Sequence, residues 1–261
     1  MDNLKIILDR TIFEIGGGEL LDWSVHDSSY LVKVSPQSTG TANNLNTYTS
    51  KMLNKIFAAR ALSLALIHQH YGFDEGVTIS VKSIDVTPLE AIETRASHEI
   101  AFEITNQKKN RIDSVRSTIT TSLSKEHYSV EFEFGILPQS MERFVRSSRN
   151  FNDYKDISIS PAEGVTENHA EYSFRHIPGE SDRLIDGKRM DHIPAISLIE
   201  IVLSNIEHRY KLSISSIEVK FYRYTDPRLP FEFHINPTLA HAQIIQDETI
   251  VAEILLDTGA S

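Results

Sequence analysis

Cysteine is absent from this chain of 261 residues. That excludes disulfides, thiolate zinc sites, iron–sulfur clusters and a cysteine nucleophile together. The composition is compatible with a reducing compartment. Long apolar runs are missing too: the longest apolar-looking stretch, Ala61–Ile67, is far too short to span a bilayer. The first ten residues hold only Leu4 and Ile6–Leu8 as apolar side chains after Met1, interrupted by Lys5, and lack the apolar core of a signal peptide. A soluble, cytoplasmic protein without a membrane partner is expected. Basic side chains are in deficit, with 26 Lys and Arg against 36 Asp and Glu and a formal net charge of −10. A nucleic-acid partner is therefore not expected, because a strand or duplex demands a basic footprint.

What is present suffices for a packed fold. Hydrophobic residues make up 40% and charged residues 24% of the chain, close to an ordinary globular composition and richer in apolar residues than a disordered one. The length suits one large domain or two of roughly 100–150 residues.

The hydrophobic pattern has a repeated order. Leu4–Leu8, Thr11–Ile15 and Ser29–Val34 read as strands, followed by an Asn-rich loop over Ser38–Thr47. A helix is expected over Ser50–Tyr71, stopped by Gly72 as its C′ residue. The period then changes to two, which predicts strands at Val77–Ile84, Thr94–Ile104, Arg111–Leu123 and Tyr128–Phe134. A polar stretch, Leu137–Gly164, carries Arg143, Arg146 and Arg149 at regular spacing and reads as a solvated linker. After it come a strand at Ala170–Ile177, a charged loop over Pro178–Met190, an apolar helix over Pro194–Tyr210, and strands at Ser215–Tyr224, Phe231–Ile235, Ala240–Ile245 and Thr249–Leu255.

Consecutive strands without intervening helices indicate an antiparallel sheet. Each helix is apolar almost all round, which predicts deep burial. The expected fold is therefore α+β, a double hotdog in which two antiparallel sheets each wrap a central long helix. Its parts are an N-terminal repeat over 1–138, a linker over 139–164 and a C-terminal repeat over 165–261. One chain would form a pseudo-dimer with its two helices as neighbours; the oligomeric state is left open.

Several residues stand out chemically. Arg60 and Glu200 are each the lone charge in an apolar helical stretch, and a buried unpaired charge costs several kcal/mol. Each admits two readings: a charged site where the helices meet, or a structural ion pair (for Arg60, also a side chain that snorkels outward). His192, just ahead of the second helix, is either a general base or the filling of a polar pocket; Asp191 either caps the helix or orients His192. Arg183, Lys188 and Arg189 lie in the preceding loop, where they either receive a phosphate or are simply solvated. His68 and His70 are two residues apart on a helix and do not converge, so no zinc site is expected. Gly16-Gly17-Gly18 is not followed by the Lys-Ser or Lys-Thr of a P-loop, and no G-x-S-x-G elbow occurs.

The segment Asp191-His192-Ile193-Pro194-Ala195-Ile196-Ser197-Leu198-Ile199-Glu200 resembles the second repeat of the A-factor biosynthesis hotdog (AfsA-like) family, which typically reads DHVPGM followed by an apolar stretch and Glu. The stretch Phe221–Pro230 is similar to that family's aromatic strand running into a Pro-marked turn, and Phe57–Gly72 aligns with its first-repeat helix. The resemblance implies transfer of a β-ketoacyl group from a thioester to dihydroxyacetone phosphate or a related small phosphorylated acceptor, in the making of γ-butyrolactone signals. Acyl carrier protein or coenzyme A would present the acyl group, an apolar tunnel would take its chain, and no cofactor or metal would be bound. Glu200, Arg60 and His192 take the catalytic places, and Asp191, Ala195, Arg183, Lys188 and Arg189 the substrate-binding ones. The family's helices typically carry Glu-x-x-Arg-Gln. Here Glu200 is followed by Leu203 and Ser204 at the Arg and Gln positions, and Phe57 precedes Arg60 in the first repeat. Ala195 replaces the usual Gly, which narrows the approach of an acyl carbonyl to the backbone. A hotdog dehydratase, hydratase or thioesterase, and a non-catalytic acyl-binding or structural protein, are the alternative expectations.

Overall fold

A computed structural model describes residues 2–14, 19–34, 48–73, 77–89, 97–109, 111–123, 126–138, 166–168, 171–179, 182, 184–185, 188–189, 192–211 and 214–258. The chain divides into two units, Met1–Met141 and Glu142–Ser261.

The first unit begins with a helix, α1 (Asp2–Glu14), where strands are expected from the sequence. Its β-branched letters mislead; the deciding feature is spacing. Leu4, Leu8 and Thr11 are buried at helical intervals while Ile6 is 63% exposed. Strands β1 (Leu20–His26) and β2 (Ser29–Val34) form a hairpin, followed by the long helix α2 (Tyr48–Tyr71). Then come β3 (Val77–Pro88), β4 (Ser97–Lys108), β5 (Arg111–Leu123) and β6 (Glu126–Pro138). The order across this unit's sheet is β1-β2-β4-β5-β6-β3, antiparallel throughout.

Alternation along these strands builds one apolar face. The register aligns Tyr30, Ile100, Ile119, Val130 and Val86 in a row across five strands, with Phe102, Ser117, Phe132 and Ile84 in the next. Helix α2 packs against β4, β5 and β6. Met52, Leu53, Ile56, Ala59, Leu62, Leu66 and Ile67 are its buried stripe, whereas Lys51, Asn54 and Gln69 are exposed. Each fully buried Ile or Leu here contributes about 1.5–3 kcal/mol by leaving water. Gly72 ends α2 at φ +63°, and the Phe73 amide donates to the His68 carbonyl at 3.1 Å, the hydrogen bond of a left-handed helix terminus.

The second unit contains β7 (Thr166–Asn168), β8 (Glu171–His176), the short ribbon β9 (Leu184–Ile185) and β10 (Lys188–Arg189), and helix α3 (Ala195–Tyr210). Strands β11 (Ile214–Phe221), β12 (Phe231–Asn236), β13 (His241–Gln246) and β14 (Thr249–Thr258) follow. Its main sheet runs β7-β8-β12-β13-β14-β11. This is the topology of the first unit: two strands, a helix, then four strands, of which the first lies at the far edge. The segment expected as a plain charged loop contains the β9–β10 ribbon. The polar stretch with Arg143, Arg146 and Arg149 lies outside the described residues.

Helix α3 is not covered all round as its composition suggests. Ile196, Ser197, Leu198, Ile199, Val202, Leu203 and Ile206 are buried, but Glu200, Ser204, His208 and Arg209 are exposed. The Lys211 amide closes the helix on the Glu207 carbonyl at 3.0 Å, with Lys211 itself at φ 53°.

Candidate functional site

The residues singled out in the sequence belong to different elements. Arg60 is half-buried on α2, in the first unit. Glu200 is exposed on α3, in the second. This corrects the expectation that Glu200 is a buried charge: it projects from the side of α3 away from the Val202, Leu203 and Ile206 stripe, so burial gives no energetic reason for a partner. Ala195 is the first residue of α3 and half-buried. Lys188 and Arg189 form β10, paired with Ile185 and Leu184. Asp191 and Arg183 lie outside the described residues.

His192 occupies the best-defined surroundings of the set. It precedes α3, half-buried, with its ring edge-on to Tyr224 at 5.5 Å. The neighbouring Ile193 is clamped at both backbone atoms by one hydroxyl. Its amide donates to Thr225 Oγ1 at 3.0 Å, and Thr225 Oγ1 donates to its carbonyl at 3.2 Å. Thr225 is 4% exposed, so this exchange takes place out of water and is costly to break. The two segments that carry the family resemblance, 191–200 and 221–230, therefore meet here. Pro194 is the N-cap of α3, and among the described residues no side-chain hydrogen bond caps the helix, so its amides keep their positive dipole end there.

The 222–230 turn is braced from below. Gln246, at the end of β13, accepts from the Asp226 amide at 2.7 Å and donates to the carbonyls of Asp226 and Leu229 at 2.8 and 3.1 Å. Asp226 also accepts from Arg228 Nε at 2.8 Å and from the Arg228 amide at 2.9 Å.

A pair missed in the sequence lies at the same end of this sheet. His176, the last residue of β8, donates from Nε2 to Asp182 Oδ2 at 2.8 Å, and the Gly179 amide donates to the same oxygen at 2.7 Å. Burial alone would raise the Asp182 carboxyl, but the hydrogen bonds from His176 and Gly179 outweigh it and hold the group below the usual carboxylate range. Only a histidine six residues ahead of an aspartate, across Pro178-Gly179, signals this in the sequence.

The first unit holds polar pairs of a different kind beneath α2. Ser63 Oγ lies 2.8 Å from Ser117 Oγ, and His98 Nδ1 lies 2.9 Å from Thr121 Oγ1, all four residues buried. Burial drives the His98 imidazole down to about 4. Tyr30 and His70 are joined at 3.0 Å near the end of α2. Among the described residues no group of three or more His, Asp or Glu is placed to hold a metal ion, and no helix is long and apolar enough to cross a membrane.

No protein-family model matches the sequence, and no curated protein matches it. Solved structures resemble it in fold. The 12:0-ACP thioesterase from Umbellularia californica aligns at TM-score 0.52 and 9% identity, covering 90% of this chain and 98% of that one. An acyl-ACP thioesterase from Bacteroides thetaiotaomicron aligns at TM-score 0.50 and 12% identity, covering 89% and 99%. At such identities the likeness concerns the fold alone, and it is clear at that level: this chain has a hotdog-like fold, built on antiparallel sheet with few helices.

Proposed function

We propose that the chain is a double hotdog that acts on an acyl thioester, presented by acyl carrier protein or coenzyme A, and moves the acyl group to an oxygen acceptor. The observation that carries this reading is the clamp between Ile193 and Thr225, with His192 edge-on to Tyr224. It joins the two segments that resemble AfsA-like proteins at the start of α3. The thioester carbonyl would lie against that helix start, where the backbone dipole and His192 favour the negative charge that grows on its oxygen. As the acceptor oxygen bonds to the carbonyl carbon, its proton passes to a base. The tetrahedral adduct then expels the carrier sulfur, which leaves as the thiol. The resemblance makes the acceptor a small phosphorylated alcohol such as dihydroxyacetone phosphate, with a β-ketoacyl donor. Arg183, Lys188 and Arg189 are assigned to the acceptor phosphate or to the carrier's phosphopantetheine. The roles of Arg60 and Glu200 rest on the resemblance.

A second reading, with water as acceptor, is supported by the fold likeness to two ACP thioesterases over about nine-tenths of this chain. One experiment separates the two. Purified protein is given a panel of acyl- and β-ketoacyl-CoA thioesters, with and without dihydroxyacetone phosphate. Free thiol is followed by absorbance and ester product by mass spectrometry. Acceptor-dependent ester confirms transfer, and thiol release without acceptor confirms hydrolysis. Ligand-induced stabilisation with neither product makes the chain an acyl-binding protein and refutes both.

A further inference from the structure

We propose that His176, oriented by Asp182, is the base that takes the acceptor's proton in the acyl-thioester reaction; this rests on the reading above. Asp182 is fixed from two sides, since Oδ2 accepts both His176 Nε2–H and the Gly179 amide. A carboxylate held in its ionised form beside Nε2 keeps the imidazole proton on that nitrogen and leaves Nδ1 as a lone pair. Nδ1 makes no hydrogen bond to another described residue. The His176 side chain is 28% exposed, so it remains within reach of a substrate while most of the ring is shielded.

Its location suits the task. The register pairs His176 with Phe231 across β8 and β12, and Phe174 with Phe233 and Phe233 with Ile244 across β8, β12 and β13; by strand alternation Gln246, two residues beyond Ile244, falls on the same face. The ring stands edge-on to Phe233 at 6.1 Å, and Phe233 stacks on Phe174 at 4.8 Å. The base thus sits at the edge of a buried aromatic cluster, with Phe233 fully buried and Phe174 half-buried, which fixes the plane of its ring. The same end of the sheet holds Gln246, which braces the turn from which Thr225 clamps the residue after His192. The two imidazoles then divide the work. His192 stands beside the helix start that favours the carbonyl oxygen, and His176 serves the incoming hydroxyl. In the step itself, Nδ1 takes the proton from the acceptor O–H as the C–O bond forms. The C–S bond breaks as the adduct collapses, and the imidazolium returns that proton to the departing sulfur. No redox partner is needed. His176 is the catalytic residue in this scheme, and Asp182 is a positioning residue.

The test uses the full chain, the thioester panel above, and the variants His176→Gln and Asp182→Asn. His176→Gln is expected to lower kcat on the order of 10²–10⁴-fold while the urea midpoint stays put. Asp182→Asn should lower kcat less and leave KM within about twofold, because it disturbs tautomer and orientation, not substrate contact. Nitrogen-15 spectra of the imidazoles provide a readout apart from turnover: wild-type His176 should carry its proton on Nε2 and lose that preference in Asp182→Asn. A wild-type Nδ1–H tautomer overturns the proposal, as does an active wild type whose His176→Gln variant keeps its kcat; both leave the thioester reading standing. A wild type inert on every thioester in the panel overturns both.

Discussion

Lowering the pH should destabilise the first unit through one residue, His98. It lies on the core face of β4 between Val32 and Thr121, 3% exposed, and burial holds its imidazole down to about 4 against an ordinary 6.5. The unfolded chain therefore binds a proton that the folded chain refuses between those two values. Stability is complete above about pH 6.5 and falls as the pH drops toward 4. The loss from this group is about 2 kcal/mol at pH 5, about 3 kcal/mol at pH 4, and reaches its limit below that. With a urea slope of about 2 kcal/mol/M, the midpoint should move by roughly 1 M between pH 7.5 and pH 5. The assay is simple because the chain has one tryptophan, Trp23, which lies on β1 of the same unit. Its fluorescence in urea at a series of pH values reports the unfolding of the unit that holds His98. The control is His98→Gln, which preserves a polar partner for Thr121 and cannot titrate. The absolute stability of the variant does not matter; its slope against pH does. Equal slopes for wild type and His98→Gln, or a His98 ring proton that titrates near 6.5 by NMR, would refute the reasoning.

Three further outcomes are expected. Ser63→Ala or Ser117→Ala should each cost about 1–3 kcal/mol by stranding the partner hydroxyl, and the double variant should cost less than the sum; urea unfolding of all four proteins checks this. Lys211→Gly should raise stability by about 0.5–1 kcal/mol, because glycine adopts the left-handed conformation that ends α3 without the strain of a side chain; a lower thermal midpoint would contradict it. Thr225→Val should destabilise by about 1–3 kcal/mol and lower turnover together, since it leaves both backbone groups of Ile193 unpaired and releases the segment that holds His192.

The long strands were legible because they are half-buried. Arg111–Leu123, for example, is matched at both ends, since its buried Val115, Ser117, Ile119 and Thr121 alternate with the half-buried Arg116, Thr118 and Thr120. Strand β1 gave no such signal: few of its side chains are covered, so no alternation marks it. Helix α1 was masked by Ile6, Ile7 and Ile12, whose branched side chains suit a strand, although the Leu4, Leu8 and Thr11 interval decides the outcome. At the candidate site, the start of α3 is readable to within one residue, because apolar spacing is a local property; Pro194, expected as the first helical residue, is instead its N-cap. The clamp of Ile193 by Thr225 joins residues 32 positions apart, and the Ser63–Ser117 pair joins residues 54 apart. No periodicity reports such distances. Glu200 was misjudged for a related reason: an apolar sequence on either side says nothing about which way one helical position faces.

The repeated strand order has a consequence for how this protein can change. In a symmetric homodimer every substitution is made twice, so a feature useful in one copy is imposed on the other. Here each copy of the topology has its own stretch of chain and can diverge alone. The first has buried hydroxyl and imidazole pairs, Ser63–Ser117 between helix and sheet and His98–Thr121 between two strands. The second has polar groups at one end of its sheet, among them His176 with Asp182, Gln246 and Thr225. One architecture thus carries two different sets of polar groups, and a substitution harmful in one unit need not be made in the other.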